Sequence, residues 1–260
     1  MDDRFISLGP EDDQETAAEI FKMNNRVALP VVSKTKKLLG IVTIDDILWV
    51  AAEEFSEDMQ KMGGTEALDE PYLDVPLFKL YKKRIIWLII LFVGETLTIV
   101  AMSSFQETLE QVLVLSTFIP LIISSGGNSG SQAATLIIQA LALGEVTVYD
   151  WWRIAKREIV SGVWMGITLG IVGFFIVYGG HEFFQLFGEH YIRIGFAIGS
   201  AIIGVVLWGT IMGSMLPLLL KRLGADPATS STPFIATLVD VTGLLIYFGM
   251  AVLLLKGVLL

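Results

Sequence analysis

Two carboxylates interrupt apolar runs of this 260-residue chain: Asp240 in "STPFIATLVDVTG" (residues 231–243) and Glu95 in "LIILFVGETLTIVAM" (residues 88–102). An acid in a segment that reads as lipid-embedded costs at least ~2.5–3.5 kcal/mol on insertion scales. The runs near Asp240 hold no Lys or Arg to offset that cost. A cation from outside the chain is the natural partner, since an intramembrane acid marks a functional site by default. A protonated Asp240 sharing a hydrogen bond with a neighbouring helix is the plainer alternative. Ser231 or Thr232 can cap the helix that carries it, and Pro233 suits the first turn. Eight residues on, Asp240 stands roughly 12 Å along the axis. Ala236 lies one turn before it, and Gly243 and Leu244 one turn after, which leaves room for a hydrated ion. The chain has no cysteine, and both histidines, His181 and His190, lie in one polar stretch. The available ligands are therefore oxygens, and the ion they suit is hard. Magnesium fits a sparse site because it keeps much of its water; calcium, manganese, sodium and protons stay open on chemistry alone. Glu95 has two readings, a second group on the same path or a protonated acid at a helix interface.

The elements that must position these groups are membrane helices. The composition is 53% hydrophobic with a mean hydropathy of +0.67, which points to several spans. Residues 1–78 carry 17 acidic and 7 basic side chains, residues 79–260 carry 10 and 11. An acidic head thus precedes a nearly neutral membrane body. Such a head repels nucleic acid and suits cations. Five spans are predicted, at about 85–104, 110–142, 159–180, 192–220 and 232–256. The second contains "PLIISSGGNSGSQ", where Pro120, Gly126, Gly127 and Gly130 are predicted to bend or unwind it. Irregular backbone at that depth would line a cavity; a close glycine-rich helix crossing is the other reading. Loop charge alternates, with Lys79, Lys82, Lys83 and Arg84 before the first span and Arg153, Lys156, Arg157, Lys221 and Arg222 in later inner loops. This predicts a cytoplasmic head and an outside C-terminus. Asp226, in the last inner loop, either attracts cations at the inner mouth or orders a turn before Pro227.

Ahead of the spans, residues 1–50 read as a small α/β unit: a helix in "PEDDQETAAEIFKMNN", strands "VALPVV" and "LLGIVT", and a helix opened by "IDDIL" with Asp45 and Asp46 at its positive end. Fifty residues make a thin core, so a partner copy is expected to complete it. Residues 51–78 read as a charged connecting helix broken at "MGG", then a linker with Pro71 and Pro76. The first twenty residues have neither the basic start nor the apolar core of a signal peptide.

"PLIISSGGNSGSQAATLIIQALALGEV" followed by "LGADPATSSTPFIATLVDVTGLLIYF" resembles the MgtE family of magnesium channels and transporters. The resemblance implies a homodimer with five spans per subunit in the cell (inner) membrane. It also implies a central path lined by the second and fifth helices. On it, Asp240 matches the pore carboxylate that holds hydrated Mg2+, and Ala236 would add its backbone carbonyl. Asn128 and Thr232 would line the cytoplasmic end, in a pore lining that takes in Gly127 and Asp226. "RVALPVVSKTKKLLGIVTIDDIL" resembles the end of a cystathionine-β-synthase (CBS) repeat, the second of the two that members carry. The first repeat and an acidic N-terminal helical domain are not among these 260 residues, so a shortened member or part of one is expected. "EEFSEDMQKMGG" resembles the family's plug helix, and Glu54, Glu57 and Asp58 would contribute to regulatory Mg2+ binding. Thr43 and Asp46 fit the pattern by which some CBS repeats hold ATP or another adenine nucleotide.

The fold class expected is an all-α polytopic membrane protein with five transmembrane helices in residues 79–260, preceded by the 1–50 CBS fragment and the 51–78 connecting helix and linker. The function expected is a dimeric, magnesium-selective channel gated by cytoplasmic Mg2+. The rival is a secondary carrier coupled to a proton or sodium gradient, to which a broken second span and a midplane acid are suited. A non-transporting sensor, with Asp240 serving only assembly, is a further alternative. An enzyme is not expected: no cysteine, no intramembrane histidine, no HExxH and no Walker motif occur.

Overall fold

The computed structural model describes residues 5–257; the first four residues of the expected 1–50 unit and the last three of the chain lie outside them. The chain divides into two compact units, residues 1–60 with 67–69, and residues 61–66 with 70–260.

In the first unit, α1 (Gln14–Asn24) follows the acidic run and stops at Asn25, which takes a left-handed φ of 50°, a conformation asparagine tolerates. Strands β1 (Ala28–Val32) and β2 (Leu38–Thr43) pair antiparallel, with an irregularity between Val31 and Val32. Leu8 adds one parallel bridge to Val31. Leu8, Ala17, Phe21, Leu29 and Ile47 form a small core, while Leu38, Leu39, Ile41, Leu48 and Trp49 stay exposed. Helix α2 (Ile44–Met62) runs without a break past residue 50, so the boundary expected there falls inside one helix. It ends before Gly63 and Gly64, and Gly64 takes φ +74°, open to glycine without strain.

The second unit is helical: α3 (Leu77–Ser104), α4 (Gln106–Gln111), α5 (Val114–Ala142), α6 (Trp151–Phe184), α7 (Tyr191–Arg222) and α8 (Thr232–Leu255). Among the described residues four helices, α3, α6, α7 and α8, are long and apolar enough to cross a membrane. Helix α5 has the length, 29 residues, but carries "SSGGNSGSQ" at its centre, which lowers its hydropathy below the other four. Helix α7 is central and α3 peripheral: 61% of the apolar stretch of α7 is buried against 11% for α3. Leu115, Ile122, Ile198, Val205, Val239, Leu244 and Phe248 belong to the core of this unit.

Helix α5, where the second span was expected, corrects one reading of the sequence. Pro120 and the glycines do not unwind α5, which is one continuous helix. The glycines instead form a seam with α7. A Cβ at Gly209 would overlap the carbonyl oxygen of Gly126, and one at Gly213 would overlap that of Gly130. Small residues let the two backbones touch, and that contact is the use the sequence makes of them. A second seam joins α6 to α7, where a Cβ at Gly170 would lie 2.7 Å from the Gly199 carbonyl oxygen and one at Gly199 would lie 2.9 Å from that of Gly170.

Candidate functional site

Asp240 lies two turns into α8 and is half-buried. Helix α8 starts as its sequence dictates: Ser231 is the N-cap and accepts from the Phe234 amide at 3.3 Å, and Pro233 sits in the first turn. From there the helical repeat carries Ala236 and Asp240 on one face. That face meets α5 at Gly127. A Cβ built on Gly127 would lie 3.5 Å from Ala236 Cβ and 3.6 Å from Asp240 Oδ1, so the glycine lets the α5 backbone approach the carboxylate. The Ala236 carbonyl, four residues before Asp240 in an unbroken helix, is spent on the helical ladder and keeps one lone pair for other use.

The other flank of Asp240 is α3. The Glu95 carboxyl faces the Asp240 carboxyl within hydrogen-bonding reach. Among the described residues, no ion pair joins Asp240 to a basic side chain. Asp240 therefore sits between a glycine of α5 and an acid of α3.

Asn128 is one residue on from Gly127 and so points about 100° round the helix. It is exposed, donating to Ser124 Oγ at 3.3 Å, and does not join Asp240. It belongs to a polar stripe of α5 comprising Ser124, Asn128, Ser131, Gln132 and Thr135, each exposed or half-buried. Thr232 stands at the end of this stripe. Its carbonyl accepts from Ser131 Oγ at 3.3 Å, and its hydroxyl donates to the Met62 carbonyl at 3.1 Å. Ser131, Gln132, Thr135, Leu136 and Thr232 together line an open depression.

Asp226 does two things. Its Oδ1 accepts from the Ala228 amide at 2.8 Å, capping the 3-10 turn Pro227–Thr229. Its Oδ2 takes Lys61 Nζ at 2.6 Å, with both side chains about one-third exposed. The turn-ordering expectation holds, and the ion pair with Lys61 is an addition the sequence did not suggest. A contact between residues 165 apart leaves no local signal.

In the first unit, Thr43 precedes α2 and Asp46 is its third residue. The Asp46 carboxylate takes both the Thr43 amide, at 3.1 Å, and the Thr43 hydroxyl, at 2.7 Å. These two bonds hold its carboxyl below the usual carboxylate range. The pair thus works as a helix start, a task that needs no nucleotide. "TVYD" repeats the device at Thr147 and Asp150. Glu54 accepts from the Gln14 amide, and Glu57 and Asp58 are half-buried with interactions of their own. Among the described residues, no three acidic or histidine side chains converge as a metal cluster.

Residues 119–250 match the family profile MgtE, described as divalent cation transporter, and residues 1–53 match the CBS domain profile. Curated relatives named magnesium transporter MgtE occur in Thermus thermophilus (36% identical, over 99% of this chain and 55% of that protein) and Enterococcus faecalis (34%, 96% and 53%). Another comes from Bacillus subtilis (31%, 95% and 53%). The chain spans about half the length of the curated relatives it matches.

Proposed function

The chain belongs to the MgtE family of divalent cation transporters, and from that membership we propose that it conducts Mg2+ across the cell membrane, with Asp240 as the ion-holding group. One observation carries the reading: a half-buried carboxylate within an apolar helix, on one face with Ala236 and against Gly127 of α5, with no basic side chain among the described residues paired to it. A hydrated divalent ion suits such a place, because magnesium gives up its water reluctantly and one acid per chain can hold it through that water. The Ala236 carbonyl, with its spare lone pair, is the second oxygen at the same level.

The polar stripe of α5 supports the path and its partner. Asn128, Ser124 and Gln132 are exposed on a single chain, and polar groups do not face lipid at depth without loss. A second copy, related by a two-fold axis, would turn these stripes toward each other and bring two Asp240 carboxylates to one pore. In this reading α5 joins the four apolar helices as a further span, second in chain order, lying between protein and water rather than in lipid. Thr232, Ser131 and Asp226 then form the cytoplasmic mouth, with the N-terminal unit inside the cell and the C-terminus outside. Gating by cytoplasmic Mg2+ falls to Glu54, Glu57 and Asp58 on α2. An inside-negative potential supplies ~4.6 kcal/mol per divalent ion per 100 mV, twice the single-charge value, so a channel needs no other energy source. The rival carrier reading drew on a broken second span, and α5 is unbroken.

The deciding experiment is Mg2+ uptake into proteoliposomes under an imposed potential, comparing the chain with Asp240→Asn and Asp240→Ala. Uptake that follows the potential, ignores proton and sodium gradients and is lost in both variants is the expected result. Equal uptake in all three would reduce Asp240 to a structural role. Uptake that requires a proton or sodium gradient would replace the channel with a coupled carrier.

A further inference from the structure

We propose that Glu95 is a second charge-bearing residue of the Asp240 ion site, so that each chain presents two carboxylates to the passing divalent ion. The proposal rests on the Asp240 reading above. It is not given by the family match, which begins at residue 119.

Helix α3 is otherwise a lipid-facing helix. Phe92, Val93, Leu97, Ile99 and Val100 around Glu95 are all exposed, whereas Glu95 itself is half-buried and turned to α8. Three contacts, in rising order along both helices, fix this register. Trp87 Nε1 donates to the Ser231 hydroxyl at 3.0 Å, and its ring lies 6.4 Å from that of Phe234. Seven residues on, Gly94 meets Thr237, whose Cγ2 would be 3.0 Å from a Cβ at that glycine. Glu95 and Asp240 follow at the next level. The glycine seats the Thr237 methyl against the α3 backbone just before the acids, so their meeting is set by helix packing and not by the free reach of a long side chain.

With two copies around one path, Glu95 would raise the carboxylates beside the ion from two to four. A monovalent ion there leaves more negative charge uncompensated, in a poorly screened setting, than a divalent one does. Glu95 therefore acts on discrimination between divalent and monovalent ions as well as on affinity. The bland alternative is a staple, in which Glu95 serves only to hydrogen-bond α3 to α8.

Glu95→Gln separates the two, because the amide keeps the length and can still hydrogen-bond Asp240 but carries no charge. Uptake by the full chain in proteoliposomes is measured against Mg2+ and against Na+, alongside Asp240→Asn, and Mg2+-dependent stabilisation in detergent is read as a shift in Tm. The expected result for Glu95→Gln is a half-saturating Mg2+ concentration raised at least about tenfold, the least one poorly screened charge should supply. A smaller Mg2+-induced Tm shift and a higher Na+ to Mg2+ ratio should accompany it. Wild-type values in all three assays would overturn the proposal and leave the staple. Should Glu95→Gln fail to fold, Glu95→Asp decides: kept selectivity with a raised half-saturation supports a charge withdrawn from the ion, and an unchanged half-saturation overturns it. If Asp240→Asn itself transports normally, the underlying ion-site reading has failed instead.

Discussion

Tyr247 closes the far end of α8 with one bond. Its ring is fully buried and its hydroxyl donates to the Leu115 carbonyl at 2.7 Å, tying α8 to the start of α5. Removing the hydroxyl takes away this second bond while the Leu115 carbonyl keeps its place in the α5 ladder, which costs about 0.5–1.5 kcal/mol. Tyr247→Phe should therefore lower Tm measurably. It should leave Mg2+ uptake intact, since Tyr247 stands two turns beyond Asp240. At the head of α2, Asp46 works in the opposite solvent setting, fully exposed and held below its usual range by Thr43. A carboxyl depressed in the folded state adds stability that is present above its unfolded pKa, about 3.9, and is lost as pH falls through the lower folded value. Amide exchange over residues 43–47, corrected for intrinsic rates, should hold steady from pH 7 to 5 and rise only below about 4. In Asp46→Ala it should be raised throughout; an unchanged rate would remove the cap from the account. Asp240 was legible in the sequence because one charge in an apolar run needs no tertiary knowledge to notice. Its meeting with Glu95 was not, because it depends on the register of two helices 145 residues apart in sequence.

Among the helices, the glycines of α5 are the clearest case of one signal with two physical outcomes. Gly126 and Gly130 reduce helix propensity, which argued for unwinding. They also remove the side chains that would keep α7 away, and the packing contact prevailed. Which outcome held depended on Gly209 and Gly213 lying opposite, a fact no local window of sequence contains. Gly213→Leu should separate the helices, with overpacking of about 1–3 kcal/mol or more and a lower Tm. Gly224→Ala, where a Cβ meets nothing, is strained only by its φ of +79° and should disturb the loop alone. The end of α2 is tied differently. Lys61 pairs with Asp226, and the Met62 carbonyl accepts from Thr232 at the mouth of α8. A half-exposed pair is worth up to about 1 kcal/mol, so a double-mutant cycle of Lys61→Ala and Asp226→Asn read by Tm should give a coupling within that limit. A coupling of zero would mean the pair does not fasten α2.

For the molecule as a whole, the polar stripe on α5 predicts which surface meets a second copy. The chain has no cysteine, so Asn128→Cys and Trp164→Cys introduce single thiols into a clean background. Trp164 is exposed on α6, on an apolar helix. Oxidative cross-linking should join two chains through position 128 and not through position 164; the reverse would move the dimer interface to α6. The apolar helices α3, α6, α7 and α8 were legible from hydropathy, and the helix, two strands and helix of the first unit from their apolar patterns and turn residues. The division within α2 was not, because the helix continues through residue 50 and only its last two residues pack with the helical unit.

The two glycine seams have a mechanical consequence. Where backbone presses on backbone, helices cannot slide without lifting apart, so α5, α6 and α7 form a stiff plate. Helix α3 touches α8 through side chains, at Trp87 on Ser231 and Glu95 on Asp240, and the end of α2 holds the turn before α8 through Lys61 on Asp226 and the first residue of α8 through Met62 on Thr232. Force applied at the end of α2 should therefore reach the helix that carries Asp240, with the plate as the stiffer part of the unit.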